Sequence, residues 1–234
     1  ITLKVNSAIG RHTLCVACLA PGATGGLCHH CIGRLPTNRL ACRCCAMPLP
    51  DTVQPDTLCG ECLADLPPFQ SAVAPWLYRF PVDQIIGRYK YRQQLSVGHG
   101  LVRAFVDHME QQLAAHPERR PELLVPTPMH PQRQRRRGFN QAEDIAELLS
   151  ERLGIPWTIT LVQRSRSTPS QSGLNRQQRQ TNLKGLFQAT GRSPQRVAII
   201  DDVMTTGATA RALSQVLRNA GAREIQVWTL ARTP

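Results

Sequence analysis
The stretch Arg196-Val-Ala-Ile-Ile-Asp-Asp-Val-Met-Thr-Thr-Gly-Ala-Thr-Ala210 carries the most chemistry in the sequence. A continuous apolar run, Val197–Ile200, ends in two adjacent acids, Asp201 and Asp202. Thr205, Thr206, Gly207, Ala208 and Thr209 follow and open a helical pattern. A helix N-terminus presents free N–H groups at the positive end of its dipole, which suits a phosphate. Gly207 lets the backbone approach a ligand closely, and the threonine hydroxyls add donors. Carboxylates at the C-terminal edge of a strand lie where open α/β sheets bind ligands. Donors for phosphate beside acceptors for hydroxyls describe a sugar-phosphate site, and the acids could also help hold a magnesium-bound sugar. A lone acidic pair would read as a solvated strand end; the whole strand–acid–threonine–glycine–helix unit reads as a site.

A second chemistry lies near the start. All nine cysteines fall between Cys15 and Cys62. Eight form four C-x-x-C pairs: Cys15/Cys18, Cys28/Cys31, Cys42/Cys45 and Cys59/Cys62. Each such turn points two thiolates at one place, and two turns complete a tetrahedral zinc site. Two structural zinc ions are therefore expected. The simplest pairing is sequential, and an interleaved one is equally legal. A disulfide framework fits poorly, because nine is odd and the rest of the chain has no cysteine to staple. His29 and His30 read as bystanders beside a full thiolate set, and Cys44 as pointing away from the metal.

Charge narrows the classes further. The chain has 234 residues, with 28 Lys+Arg against 16 Asp+Glu, a net +12. Of the basic residues 25 are Arg, whose planar fork of donors matches phosphate. The excess is local: Met129–Arg192 holds eleven basic and four acidic residues, whereas residues through Gln70 hold five and four. Two readings fit the basic stretch. It is either a solvated, mobile loop or a track for a nucleic-acid backbone. Aromatic content of 5% leaves few base-stacking platforms for a dedicated single-strand reader. The longest uncharged stretch, His12–Gly33, is full of Gly, Cys and His and cannot span a bilayer. Thr13–Ala20 is too short for an export signal and contains two of the metal-spaced cysteines. Reduced thiolates and no export signal place the chain in the cytoplasm.

The elements that must position these groups follow from periodicity. Residues 1–66 read as a small double zinc ribbon, too short to bury a core without metal. Leu66-Pro67-Pro68-Phe69 reads as a stiff connector to a second domain, 67–234. There, strands are expected at Ala72–Phe80 (interrupted by Pro75), Leu123–Val125, Trp157–Val162, Val197–Ile200 and Ile225–Leu230. Helices are expected at Leu95–Leu113, Asn140–Leu153 and Thr206–Ala220, the last closed by Gly221. Strands alternating with helices predict an α/β domain with a mostly parallel sheet and helices on both faces.

The Asp201–Thr209 unit resembles the phosphoribosyl-pyrophosphate (PRPP) motif of type I phosphoribosyltransferases. The resemblance implies that Asp201 and Asp202 are the catalytic acids at the ribose hydroxyls. It implies that Thr205, Thr206, Gly207, Ala208 and Thr209 hold the 5′-phosphate. Val125-Pro-Thr-Pro128 resembles the pyrophosphate loop, which adds Thr127, and the Arg133–Gln141 block adds Arg137. With the four C-x-x-C pairs in front, residues 15–232 resemble the competence protein F (ComF) family, in particular its GntX-type DNA-utilisation branch. The Arg137–Gln141 block, the Gln171–Asn182 run and Val227–Arg232 carry this match. It implies a type I phosphoribosyltransferase-like fold behind the zinc module, with PRPP and Mg2+ as ligands, and makes the basic stretch a flexible flap that closes arginine over pyrophosphate. Two functions follow. One is transfer of the phosphoribosyl group with release of pyrophosphate. The other is a non-catalytic module that senses PRPP or a nucleotide, or docks single-stranded DNA and a DNA-uptake or helicase partner. Only four residues follow Leu230, and no base-specificity segment is recognisable there, so the sequence names no acceptor base; it is equally silent on oligomeric state.

Overall fold
The computed structural model describes residues 14–21, 23, 26–54, 56–90, 95–164 and 185–234. Its centre is a parallel sheet. The strands are β1 (Ser71–Val73), β2 (Trp76–Leu77), β3 (Leu123–Pro126), β6 (Arg196–Met204) and β7 (Glu224–Arg232). The order is β1-β7-β6-β3, and β2 pairs with the far end of β7. Two shorter strands, β4 (Val162–Arg164) and β5 (Phe187–Ala189), form a separate antiparallel pair. The helices are α1 (His29–Gly33), α2 (Gly60–Ala64), α3 (Val82–Tyr89), α4 (Leu95–Ala115), α5 (Pro131–Arg137), α6 (Gln141–Leu153) and α7 (Ala208–Asn219).

The sheet is covered on both faces, as alternation along its central strands requires. Ala198 and Ile200 of β6, with Trp228 and Leu230 of β7, pack toward α3, α4 and α6. Val197 and Ile199, with Ile225 and Val227, pack toward α7. These strand residues are at most 1% exposed, and burying a side chain of this size contributes about 1.5–3 kcal/mol. The apolar stripe expected on α4, Leu101 through Leu113, is buried. The cysteine-rich segment joins the same two layers. Cys15, Leu27 and Leu35 belong to the α3–α4 side. Cys42, Cys44, Cys45, Cys59, Cys62 and Phe69 belong to the α7 side.

Several boundaries differ from those expected. The stretch Ala72–Phe80 is two short strands, because Pro75 has no N–H for the ladder. Both strands still run along β7. Trp157–Val162 is not a strand: Trp157 makes a single bridge to Leu124, and pairing begins again only at Val162. The last helix starts at Ala208, not Thr206, because Gly207 takes a left-handed φ of 71° and serves as its N-cap. Asn140 is likewise the N-cap of α6. Gly221 closes α7 as expected, with φ 114° and its N–H donated to the Arg218 carbonyl.

Candidate functional site
The site lies at the C-terminal end of β6. Asp201 remains in the ladder opposite Thr229, and Asp202 follows it out of the core. Both carboxylates accept from local backbone: Asp202 N–H donates to Asp201 Oδ1 and Val203 N–H to Asp202 Oδ1, each at 2.9 Å. The loop Thr205–Gly207 then turns into α7. Gly207 is required by its backbone angle and not by crowding, since a Cβ there would meet only the Met204 sulfur at 3.8 Å. Asp201 and Thr205–Thr209 enclose a small cavity of about 60 Å³, with Thr127 on its wall.

Thr127 follows β3 and is fixed by its N–H, which donates to the Ile200 carbonyl at 2.9 Å. Beside it opens a wider cleft of about 550 Å³. Asp201, Asp202, Thr127, Arg133, Arg136 and Arg137 are among its lining residues. The two cavities share Thr127, Asp201 and Thr209. The residues expected at the sugar-phosphate site thus line one or other of two adjacent cavities. Arg137 donates to Gln141 Oε1 at 2.9 Å, which aims its guanidinium along the mouth of α6. The expected arginine-rich flap falls mostly on residues 165–184, outside the described residues; Arg164, at its near end, lines the cleft.

Burial, and second the negative charge of Asp202, push the Asp201 carboxyl up to about 7; the Asp202 N–H and the Thr127 hydroxyl pull the other way. Near neutral pH this acid is shared between its protonated and ionised forms. Lys90 supplies the nearest ion pair: its Nζ lies 3.3 Å from Asp202 Oδ2.

Sequence reasoning missed Lys90 and the residues that hold it. Tyr89, the last residue of α3, donates a short hydrogen bond to Asp144 Oδ2. The same oxygen lies 3.0 Å from His99 Nε2. Tyr89 also packs edge-on to His99 and tilted against Phe139. Burial first, then the Asp144 carboxylate, raise the Tyr89 phenol well above its ordinary value, so it stays a donor. Gly98 makes room for this ring: a Cβ at Gly98 would overlap its atoms. The available signal was that lysine is rare here, with three against 25 arginines. Asn140 was also passed over as a positioning residue. Its side chain caps Ala142 N–H, donates to the Thr127 carbonyl at 3.1 Å and reaches Glu143 Oε1 at 2.9 Å.

The cysteines form two separate clusters. Cys15, Cys18, Cys28 and Cys31 have their sulfurs within 4.8 Å of one another, as do Cys42, Cys45, Cys59 and Cys62. The pairing is therefore sequential, not interleaved. The close S···S distances, 3.6 Å for Cys18–Cys28 and 3.6 Å for Cys45–Cys59, match a tetrahedron with Zn–S of about 2.3 Å, whose edge is about 3.8 Å. The residues fit zinc. Burial works against ionising Cys15, but N–H groups of Cys28, Cys18 and Ala17 outweigh it and bring the thiol down to about 6. Cys44 lies outside the cluster and points at the Phe69 carbonyl, 3.6 Å away. His29 and His30 are exposed and belong to neither cluster.

A parallel sheet with an acidic strand end, a threonine–glycine loop and helices on both faces is the frame of a phosphoribosyltransferase-like protein. Comparison agrees: residues 136–234 match the phosphoribosyl transferase domain model. Competence protein F of Haemophilus influenzae is 37% identical over 178 residues, covering 74% of this chain and 78% of that protein. DNA utilization protein YhgH of Escherichia coli K12 is 32% identical over 226 residues, 94% of this chain and 97% of that one. A solved purine phosphoribosyltransferase from Pyrococcus horikoshii aligns with a TM-score of 0.38 at 21% identity, over 57% of this chain and 74% of that one. The chain belongs to the competence protein F and DNA-utilization protein family. Among the described residues no helix is long and apolar enough to cross a membrane.

Proposed function
We propose that this chain serves DNA utilisation in the cytoplasm by binding PRPP, or a related phosphoribosyl ligand, at the end of β6, and that it transfers the phosphoribosyl group. The observation that carries this reading is the juxtaposition of Asp201, Thr127 and Thr205–Thr209 around one small cavity beside an arginine-lined cleft. N–H and hydroxyl groups of the Thr205–Thr209 loop take the 5′-phosphate. Asp201 and Asp202 accept from the ribose hydroxyls. Thr127 and Arg137 face the pyrophosphate. In transfer, the C1–O bond breaks with its electron pair leaving on pyrophosphate, while a lone pair of the acceptor forms the new bond to C1. Donors fixed before the reaction stabilise that developing charge. Magnesium bound with PRPP would add neutralising charge, and the two carboxylates are the residues suited to orient it. The cysteine clusters take zinc as structural ions of an N-terminal module, residues 1–66, ahead of the ligand-binding part, 67–234.

Calorimetry with PRPP and Mg2+ tests the pocket. Saturable binding is expected, and loss of it in Asp201→Ala/Asp202→Ala; no heat with the parent chain overturns the assignment. Pyrophosphate release screened across nucleobases then separates transfer from sensing, and silence with every base favours a sensor. A second reading has its own observation: Arg133, Arg135 and Arg136 of α5 are exposed, and Arg133 and Arg136 line the cleft. They suit the backbone of single-stranded DNA, or a helicase or uptake partner, alongside the pocket.

A further inference from the structure
Arg232, the last residue of β7, is 2% exposed, and its contacts join two parts of the molecule. Its Nε donates to the Cys45 carbonyl at 3.2 Å, inside the second cysteine cluster. Its Nη1 donates to the Met204 carbonyl at 3.1 Å, to the Thr205 carbonyl by a short bond, and to the Thr233 carbonyl at 2.8 Å. Met204 and Thr205 are where β6 becomes the threonine–glycine loop. Backbone adds one more tie, Thr233 N–H to the Met204 carbonyl at 3.0 Å. A buried guanidinium needs both hydrogen-bond acceptors and opposing charge. Carbonyls supply the first. For the second, no carboxylate forms an ion pair with Arg232 among the described residues; the group it touches is the second cysteine cluster, through the Cys45 carbonyl. A zinc held by four thiolates is net anionic, and the cluster Cys42, Cys45, Cys59, Cys62 lies at this position.

We propose that Arg232 is a positioning residue for the Thr205–Thr209 loop, and that through it the metal in the second cysteine cluster sets the order of that loop. The first cluster makes no such link among the described residues: it packs with α3 and α4 on the opposite face of the sheet. The second cluster is thus more than a fold staple. Losing its metal frees the Cys42–Cys45 turn whose carbonyl anchors Arg232 Nε, and the loop carbonyls at 204 and 205 lose a fixed donor. The link to ligand affinity rests on the proposed PRPP site; the link to loop order does not.

Hydrogen exchange on the full zinc-loaded chain tests this. Arg232→Lys keeps the charge but cannot serve separate carbonyls with a rigid fork. Amides 203–209 are expected to exchange about ten-fold faster in the variant, while those of Val197–Ile200 keep their rates. Unchanged exchange at 203–209 overturns the proposal. A second measurement covers a variant that does not fold: the parent chain is treated with a chelator, and exchange is followed as zinc leaves. Loop protection is expected to fall with one of the two zinc ions while Val197–Ile200 stays protected. Loss of both together, or of neither, overturns the proposal. Calorimetry with PRPP and Mg2+ is read separately, with about ten-fold weaker binding expected in Arg232→Lys. A parent that binds no PRPP refutes the functional reading and leaves the exchange result to decide the coupling.

Discussion
Asp201→Asn should stabilise the ligand-free protein, and increasingly so as pH rises. Burial and the Asp202 charge hold the Asp201 carboxyl up to about 7 in the folded chain, against an ordinary 3.8. The folded state therefore binds this proton more tightly than the unfolded state. Stability is greatest below the unfolded value, declines as pH climbs between the two values, and levels off above the folded one. The resulting loss of stability is about 1.5 kcal/mol at about pH 5 and about 4 kcal/mol at about pH 8. The amide introduced by Asp201→Asn resembles the protonated acid and escapes this cost. Water reaching a half-buried carboxyl reduces both figures, so the stability gap is expected to widen by about 1–2 kcal/mol over that range. Urea denaturation of both proteins in excess zinc, at several pH values, measures it. The cysteine clusters titrate alike in both proteins, so the gap reports Asp201 together with its coupling to the Asp202 charge. A gap that is constant, or that narrows with pH, refutes the assignment of Asp201 as a high-pKa acid. The same variant should bind PRPP poorly, as expected where strain is retained for a ligand.

Other perturbations follow from the same geometry. Lys90→Met removes the cation paired with Asp202, so PRPP binding should weaken; calorimetry showing unchanged affinity would refute the role given to Lys90. Gly98→Ala drives a methyl group into the Tyr89 ring and should destabilise the chain by about 1–3 kcal/mol in chemical denaturation; an unchanged midpoint would refute the close-packing argument. Metal analysis should find about two zinc ions per chain. Cys62→Ser, in the fully buried cluster, should lower the melting temperature more than Cys18→Ser, whose thiol is exposed; equal losses would count against the difference in burial. If α5 tracks single-stranded DNA, replacing Arg133, Arg135 and Arg136 with Ala should flatten the slope of log K against log salt by about 2–3.

The strand–loop–helix centred on Asp201 was legible because its signals are local. Val197–Ile200 has no polar interruption, and Gly207 stands where a left-handed residue is needed. The cysteine pairing was half legible: spacing named the four turns, but only the fold chose between sequential and interleaved sets. Helix α5 was read as a run of charge because Pro131–Arg137 has no apolar stripe. Its actual determinants are Pro131 in the first turn, the His130 cap and Gly138 at φ 83°. Trp157–Val162 misled in the opposite sense, since its apolar content suggested a strand while Ile159 stands 53% exposed. Lys90 and Arg232 were out of reach for a different reason. Tyr89 finds Asp144 across 55 residues, and Arg232 finds Cys45 across 187, distances at which no sequence pattern repeats.

That long span bears on how the molecule is made. The cysteine turns precede β7 in the chain and can capture metal as local loops, yet the surfaces they pack against include β7. The first sheet strand, β1, also waits for β7, its parallel neighbour in the order β1-β7-β6-β3. Until Glu224–Arg232 is threaded between β1 and β6, neither layer of the core can close, and the apolar sides of both cysteine clusters stay uncovered. Assembly therefore waits for β7: a nascent chain stalled before Glu224 would be a client for chaperones, with its cysteine turns made and its sheet still open.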